Sequence, residues 1–452
     1  MKKNASASRG RRAFLRASAG ALLGASLWKA DTLEAAVQNV NTNSKPSQLR
    51  ITDLRVATLA CAPMTCPVIR IDTNQGLYGL GEVRDGASPT YALMLKSRIL
   101  GQNPCDIDRI FRKIKPFGGQ ARQAGGVCAI EMALWDLAGK AYGAPIYQML
   151  GGRFRDRIRC YADTTESHDP KLYGQRLNER AKQGFTWLKM DLGIDLLEGI
   201  PGALTSPAGT DLTGGGMVPH PFTGIELTPK GVEIMSDYVG VVREQVGMEI
   251  PLCADHFGHI GVNSAIRLGK ALEKWNLAWL EDLIPWQYTD LLKQIADAVD
   301  IPILTGEDIY LKEPFQELCR RHAVDIIHPD LATAGGILET HKIGDMAQDY
   351  GVPMAMHIAG SPIASLASVH CAAATENFLV LEHHSVDVPW WSEVVEGVEK
   401  PIVQRGYIAV PDAPGLGITL NDEVFKQHLL QPGYFEPTPQ WNNERSWDRP
   451  WS

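Results

Sequence analysis

Short apolar runs recur along the chain from Arg157 onward, each closing on a polar or charged residue and each followed by a stretch of helical spacing. A strand period that gives way repeatedly to a helical one marks β-α units, whose helix-covered strands assemble as a parallel sheet. Eight such runs occupy 158–163, 187–191, 250–255, 278–281, 301–307, 324–330, 352–357 and 378–382. Eight parallel strands predict a closed (β/α)8-type barrel, and the span from Arg157 to about Lys400 suits the roughly 250 residues that such a barrel takes. Beyond the eighth run, residues 386–391 carry Pro389 and the pair Trp390-Trp391, so the last unit is expected to lack its helix.

The segment before the barrel, 50–157, is mixed, with strand-like stretches at 51–55 and 68–73, a Gly-rich turn and a helical stretch at 129–142. Gly76, Gly79 and Gly81 crowd the turn, but their spacing is not that of a dinucleotide-binding loop, and the stretch reads as a strand turn. The tail, 401–452, is expected to pack back on this N-terminal part. Far more residues separate Asp191 from Asp255 than one crossover needs, and 199–229 is rich in Gly, Pro and Thr. This insertion, near 192–232, reads as a lid or as a contact between copies of a homo-oligomer. Residues 1–36 run from Lys2, Lys3, Arg9, Arg11 and Arg12 through an apolar stretch to Ala35-Ala36, the order of a secretory signal. Arg11-Arg12-Ala13-Phe14-Leu15-Arg16 resembles the twin-arginine consensus, which predicts export of the folded protein to the periplasm; the bland alternative is a basic tail. Residues 37–49 read as a linker.

Composition narrows the partners. The chain has 452 residues, 44% apolar and 21% charged, enough for a large core and unlike a disordered protein. With 44 basic against 52 acidic residues, the net charge of -8 disfavours a general nucleic-acid or anionic-membrane binder, and a small molecule is the expected partner. Nowhere does an apolar run reach the roughly 18 residues of a transmembrane span. The eight cysteines are scattered without a CxxC pair and read as small apolar residues of the core.

Active sites of such barrels collect at the C-terminal ends of the strands, so the residue closing each run carries the chemistry. Runs three to eight close on Asp255, Glu281, Glu307, Asp330, His357 and Glu382. Any one acid alone would read as a helix cap or a surface residue. Three on consecutive strand ends, Asp255, Glu281 and Glu307, would repel one another without a cation, and hard oxygen donors suit Mg2+. Asp330 and His357 close neighbouring strands. A carboxylate on one imidazole nitrogen orients the ring and raises its basicity, which makes His357 a candidate general base, although a core histidine satisfied by an acid has the same pattern. Glu382, if protonated among the other acids, would donate a hydrogen bond to substrate.

With these residues the chain resembles the enolase superfamily, specifically its mandelate racemase and muconate lactonizing branch. The likeness is carried by Ala129-Ile130-Glu131-Met132-Ala133-Leu134-Trp135-Asp136-Leu137-Ala138-Gly139-Lys140, Gly151-Gly152, Trp279-Leu280-Glu281-Asp282, Thr305-Gly306-Glu307, and Pro329-Asp330 with Gly335-Gly336. The resemblance implies an α/β fold: a (β/α)7β TIM-type barrel over 158–400 with an α+β N-terminal capping domain over 50–157, completed by the tail. It implies Mg2+ on Asp255, Glu281 and Glu307, and a reaction that begins by removing the proton α to a carboxylate, the metal stabilising the enediolate.

Two departures select among the family's reactions. The second strand reads Lys189-Met190-Asp191 where the family has Lys-x-Lys, so the usual second base is missing and a one-base reaction through His357 is favoured. Acid-sugar dehydratases of the mandelate racemase subgroup work in that way, giving a 2-keto-3-deoxy acid. Several carry their general acid as Asp-x-His after the third strand; here the register is shifted, Asp255-His256-Phe257-Gly258-His259, which leaves His256 and His259 as candidates. Lys189 is expected to bind the substrate carboxylate or the enediolate, or else to pair with Asp191. His328, His370, His383 and His384 are candidates for pocket lining only, and the loops 60–66 and 84–89 for specificity. The competing readings are an epimerase, racemase or cycloisomerase using Asp191, Lys189 or a base beside His256, and a non-catalytic sugar-acid binding protein.

Overall fold

Three antiparallel strands, β1 (Ile51–Ala60), β2 (Thr65–Thr73) and β3 (Tyr78–Glu82), form a sheet in chain order. Helix α1 (Gly125–Tyr142) lies across it and is buried along nearly its whole length. The glycines of β3 explain how close the two layers come. A Cβ on Gly79 would sit 2.1 Å from the Ala133 carbonyl oxygen, and one on Gly81 2.0 Å from that of Ala129. Their spacing serves helix-on-strand packing and not a phosphate. The computed structural model describes residues 45–60, 64–206, 222–255, 257 and 260–443. The export segment 1–36, most of the linker, His256, His259 and the centre of the insertion, 207–221, lie outside the described residues.

Eight parallel strands follow: β4 (Arg157–Ala162), β5 (Leu188–Asp191), β6 (Leu252–Asp255), β7 (Leu280–Glu281), β8 (Ile303–Thr305), β9 (Ile326–Ile327), β10 (Met354–Met356) and β11 (Phe378–His383). Each pairs with the next, and β11 pairs with β4, so the barrel closes as the run pattern predicts. Seven helices connect them: α2 (Pro170–Lys182), α3 (Pro229–Val246), α4 (Val262–Leu272), α5 (Thr289–Ala296), α6 (Lys312–Arg321), α7 (Ile337–Asp349) and α8 (Pro362–Ala374). Their apolar stripes, such as Met235, Val239 and Val242 on α3, pack on outward residues such as Leu188, Leu252 and Leu280. After β11 a 3-10 turn, Trp391–Val394, stands where an eighth helix would be.

The strands are shorter than the apolar runs that announce them. Run 301–307 leaves the sheet at Gly306, whose φ of +149° is left-handed backbone that a side chain rarely adopts. Run 324–330 leaves it before Pro329, which has no N–H to give the ladder. Glu307 and Asp330 therefore stand on short loops above the rim.

Two buried carboxylates of the N-terminal part cap barrel helices. Glu82 accepts from the backbone N–H groups of Ser361 and Ala364 at 2.9 and 3.3 Å, at the start of α8. Glu131 accepts from those of Ile337 and Leu338 at 2.6 and 3.0 Å, at the start of α7, and from the Trp135 indole at 2.7 Å. Each satisfies orphan donors and meets the positive end of a helix dipole. The C-terminal strand β12 (Tyr407–Ala409) adds antiparallel to β4, and the chain beyond it runs beside β1, where Leu430 N–H donates to the Thr58 carbonyl at 2.8 Å. Within the insertion, Leu204–Thr205 and Glu226–Leu227 pair as a short antiparallel ribbon. Among the described residues no helix is long and apolar enough to cross a membrane. The seven described cysteines are free thiols, all buried except the half-buried Cys105.

Candidate active site

The inside of the barrel carries one apolar cluster with a member from each strand or the residue just before it: Tyr161, Trp187, Cys253, Trp279, Leu304, Ile326, Ala355 and Val380. Side chains on a strand return to the same face every second residue. Two residues on from each member stand Asp163, Lys189, Asp255, Glu281, Gly306, His328, His357 and Glu382. The layer that floors the mouth of the barrel is thus polar at seven of its eight positions, with glycine at the eighth.

The ion pairs confirm that this layer converges. Lys189 Nζ lies 2.7 Å from Asp255 Oδ2 and 2.9 Å from Glu382 Oε1, not against Asp191. Burial would lower the Lys189 ammonium, but Asp255, Glu382 and Glu281 hold it well above the usual lysine range. His328 Nδ1 lies 2.8 Å from Glu281 Oε1; burial would lower the imidazole, yet Glu281 brings it up to about 9. Asp191 stands half-buried at the end of β5, beside Asp255 in the register, its backbone N–H donating to the Tyr173 hydroxyl at 2.8 Å.

The structure brings His357 and Asp330 into contact. His357 Nδ1 lies 2.6 Å from Asp330 Oδ2, and an isolated parallel bridge between the two residues brings their backbones together. The other ring nitrogen is 3.3 Å from Glu307 Oε2 and 3.6 Å from Glu382 Oε2. Burial would raise the Asp330 carboxyl, but Arg84 and His357 hold it below the usual range. Glu307 is held down likewise, chiefly by His357 and Arg84, against its own burial.

Glu382 differs from its expected state. A protonated donor requires a raised carboxyl; burial pushes that way, but Lys189, His384 and His357 hold Glu382 well below the usual carboxylate range. It is an acceptor. The histidine beside it was visible in the sequence only as possible lining: His384 Nε2 lies 3.0 Å from Glu382 Oε1, and its Nδ1 3.3 Å from Asp163 Oδ2.

The donor set fits a hard divalent cation. Asp255, Glu281 and Glu307 come from three successive units; burial pushes the Asp282 carboxyl well above its usual range, and Glu307, Glu281 and Asp255 add to the push. Donor atoms of Glu281, Glu307 and His328 lie within 4.8 Å of one another, and the buried Glu281 Oε1 makes no aligned hydrogen bond. Arg84 opens the 84–89 loop read for specificity, but its place against the acids was not foreseen; its Nη2 is 3.2 Å from Glu307 Oε1. Only tertiary contact brings it here, so no periodicity announces it.

Residues 173–424 match the family model described as Enolase C-terminal domain-like, and 32–151 match Mandelate racemase / muconate lactonizing enzyme, N-terminal domain. The chain is 34% identical over 376 residues to the D-xylonate dehydratase of Haloferax volcanii, covering 80% of this chain and 85% of that one. It is 27% identical over 387 residues to the arabinonate dehydratase of Saccharolobus solfataricus, covering 83% and 93%. A mandelate racemase/muconate lactonizing enzyme-like protein from Rubrobacter xylanophilus, known from its crystal structure, aligns with a TM-score of 0.75 at 31% identity, covering 85% of this chain and 99% of that one.

Proposed function

Because the chain belongs to the mandelate racemase/muconate lactonizing enzyme family of the enolase superfamily, we propose that it is a Mg2+-dependent sugar-acid dehydratase. In this reading it removes the proton α to the carboxylate and expels the β hydroxyl, giving a 2-keto-3-deoxy acid. The observation that carries the reading is the 2.6 Å contact between His357 Nδ1 and Asp330 Oδ2. A carboxylate only accepts, so Nδ1 carries a hydrogen toward Asp330, and Nε2, which lies toward Glu307 and Glu382, is the nitrogen left to exchange a proton with the substrate. That nitrogen is the base.

Asp255, Glu281 and Glu307 would hold Mg2+, which when bound supplies Lewis-acid stabilisation for the charge that builds on the substrate carboxylate. Lys189 adds a fixed ammonium beside Asp255 and Glu382, where a developing oxyanion gains from a preorganised cation. Asp191 supplies no ammonium on the opposite face, which favours elimination over epimerisation, and the names of the relatives support the same choice.

Incubation with Mg2+ and D-xylonate, arabinonate, D-galactonate or D-gluconate, reading keto acid, tests the proposal. Epimers formed without loss of water would overturn it, and binding of these acids without turnover would favour the sugar-acid binding protein instead. The order of residues 1–36 supports export to the periplasm by the twin-arginine route. Changing Arg11 and Arg12 together to Lys should then retain the unprocessed protein in the cytoplasm, and normal export of that variant would refute the route.

A further inference from the structure

The site holds a second imidazole-carboxylate pair that the reaction described above does not use. We propose that His384, oriented by Asp163, is the general acid that protonates the β hydroxyl as it leaves; this rests on the dehydratase reading.

Geometry comes first. β11 closes the barrel against β4, so the residues after these two strands meet: Asp163 N–H donates to the His383 carbonyl at 3.1 Å, and Asp163 Oδ2 lies 3.3 Å from His384 Nδ1. Asp163 thus stands to His384 as Asp330 stands to His357. The two rings stand side by side at the ends of neighbouring strands, edge to face, with centroids 5.6 Å apart at 62°. Groups that each reach about 3 Å to atoms on neighbouring carbons are expected on the order of 5–6 Å apart, so one ring at the α hydrogen leaves the other at the β oxygen. The His384 side chain keeps 10% of its surface exposed, against full burial of Glu382. Its Nε2 is buried and makes no aligned hydrogen bond despite its closeness to Glu382, and Glu382 Oε2 makes none either. A substrate hydroxyl, which both donates and accepts, would satisfy the two atoms together.

The charges divide the labour between the rings. His384 is faced by Asp163 from the end of β4, by Glu382 on its own strand, by His357 from the neighbouring strand, and by Lys189 through Glu382. Burial would lower its imidazole, but Glu382 and Asp163 bring it up to about 10, so it carries its proton at neutral pH. His357 shares the carboxylate at its Nδ1 with Arg84. One ring is loaded to give a proton and the other is placed to take one.

The step balances. The α proton passes to His357 Nε2 and its bonding pair moves onto the carboxylate as an enediolate; when that pair returns it becomes the Cα–Cβ double bond and the Cβ–O bond breaks. The departing oxygen takes the Nε2 proton of His384 and leaves as water. The enol then ketonises: its hydroxyl proton restores His384 through solvent, and the His357 proton goes to Cβ.

His384→Asn separates this role from a structural one. With whichever of the four acids the wild type dehydrates, keto-acid formation should fall 100-fold or more, while solvent deuterium still enters at C2 of the recovered acid. The 3-deoxy-3-fluoro analogue, whose fluoride leaves without a proton, should release fluoride within about threefold of the wild-type rate. Undiminished dehydration, or equal loss of dehydration, exchange and fluoride release in a folded variant, would overturn the proposal. Asp163→Asn, which keeps the ring, should move the alkaline limb of the kcat profile to lower pH, because the acid form loses a supporting charge; an unmoved limb would also overturn it. Failure of the wild type to lose water from any of the acids would instead overturn the dehydratase reading itself.

Discussion

Arg84 Nη1 lies 2.7 Å from Asp330 Oδ2, the same oxygen that His357 Nδ1 meets at 2.6 Å. A residue just beyond β3 therefore shares the carboxylate that orients the base, and it also donates to Thr333 Oγ1 at 3.1 Å and approaches Glu307. The guanidinium keeps Asp330 ionised and fixed, while drawing on the charge that would otherwise support His357 alone.

The dyad prediction follows from that sharing. His357→Asn should lower keto-acid formation by on the order of 10²–10⁴-fold, with Mg2+ affinity, measured by calorimetry, changed far less, because His357 meets only Glu307 among the three metal acids. Asp330→Asn should be the milder lesion. The amide oxygen can still accept from the ring, although the charge is lost and the amide nitrogen then faces the Ala332 N–H that Oδ1 accepts from. Full activity in His357→Asn would remove it as the base.

Much of this was legible because the barrel writes its mouth at a fixed place in every unit. Asp255, Glu281, Asp330, His357 and Glu382 close apolar runs at near-regular intervals, and a parallel strand buried on both faces cannot hide where it ends. Asp163 closes the first run two residues beyond Tyr161, and His328 stands two beyond Ile326, but the sixth run reads on through Pro329 to Asp330 and passes over His328 inside it. The interior layer, once known, recovers both by period alone. Arg84, by contrast, meets Asp330 through a contact between distant parts of the chain, and local pattern carries no trace of it. The ionised state of Glu382 depends on Lys189 and His384 together, which again only packing decides.

The metal acids give a second measurement. Glu281→Gln and Glu307→Gln each keep the shape of the side chain and remove one charge, so Mg2+ affinity should fall by about 10–100-fold and activity with it. Circular dichroism should remain that of the wild type, since the barrel core does not involve these groups. An unaltered Mg2+ requirement in either variant would take that acid out of the site.

Stability should depend on pH through Glu131. Burial pushes its carboxyl up to about 7 from an ordinary 4.5, even though the backbone N–H groups of Leu338 and Ile337 and the Trp135 indole pull the other way. The folded protein therefore holds this proton more tightly than the unfolded chain, and the stability it confers is fully present below pH 4.5 and lost as pH rises through 7. The loss amounts to about 3 kcal/mol if nothing relaxes. Glu82, pushed up to about 6 by its own burial, contributes in the same direction and is common to both proteins compared. Glu131→Gln cannot titrate, so it carries a constant penalty for its altered cap on α7. Thermal unfolding should show the variant well below the wild type at pH 5 and closing on it by pH 8. A gap that stays the same across that range would mean that Glu131 is already ionised in the folded protein, with the helix dipole outweighing its burial.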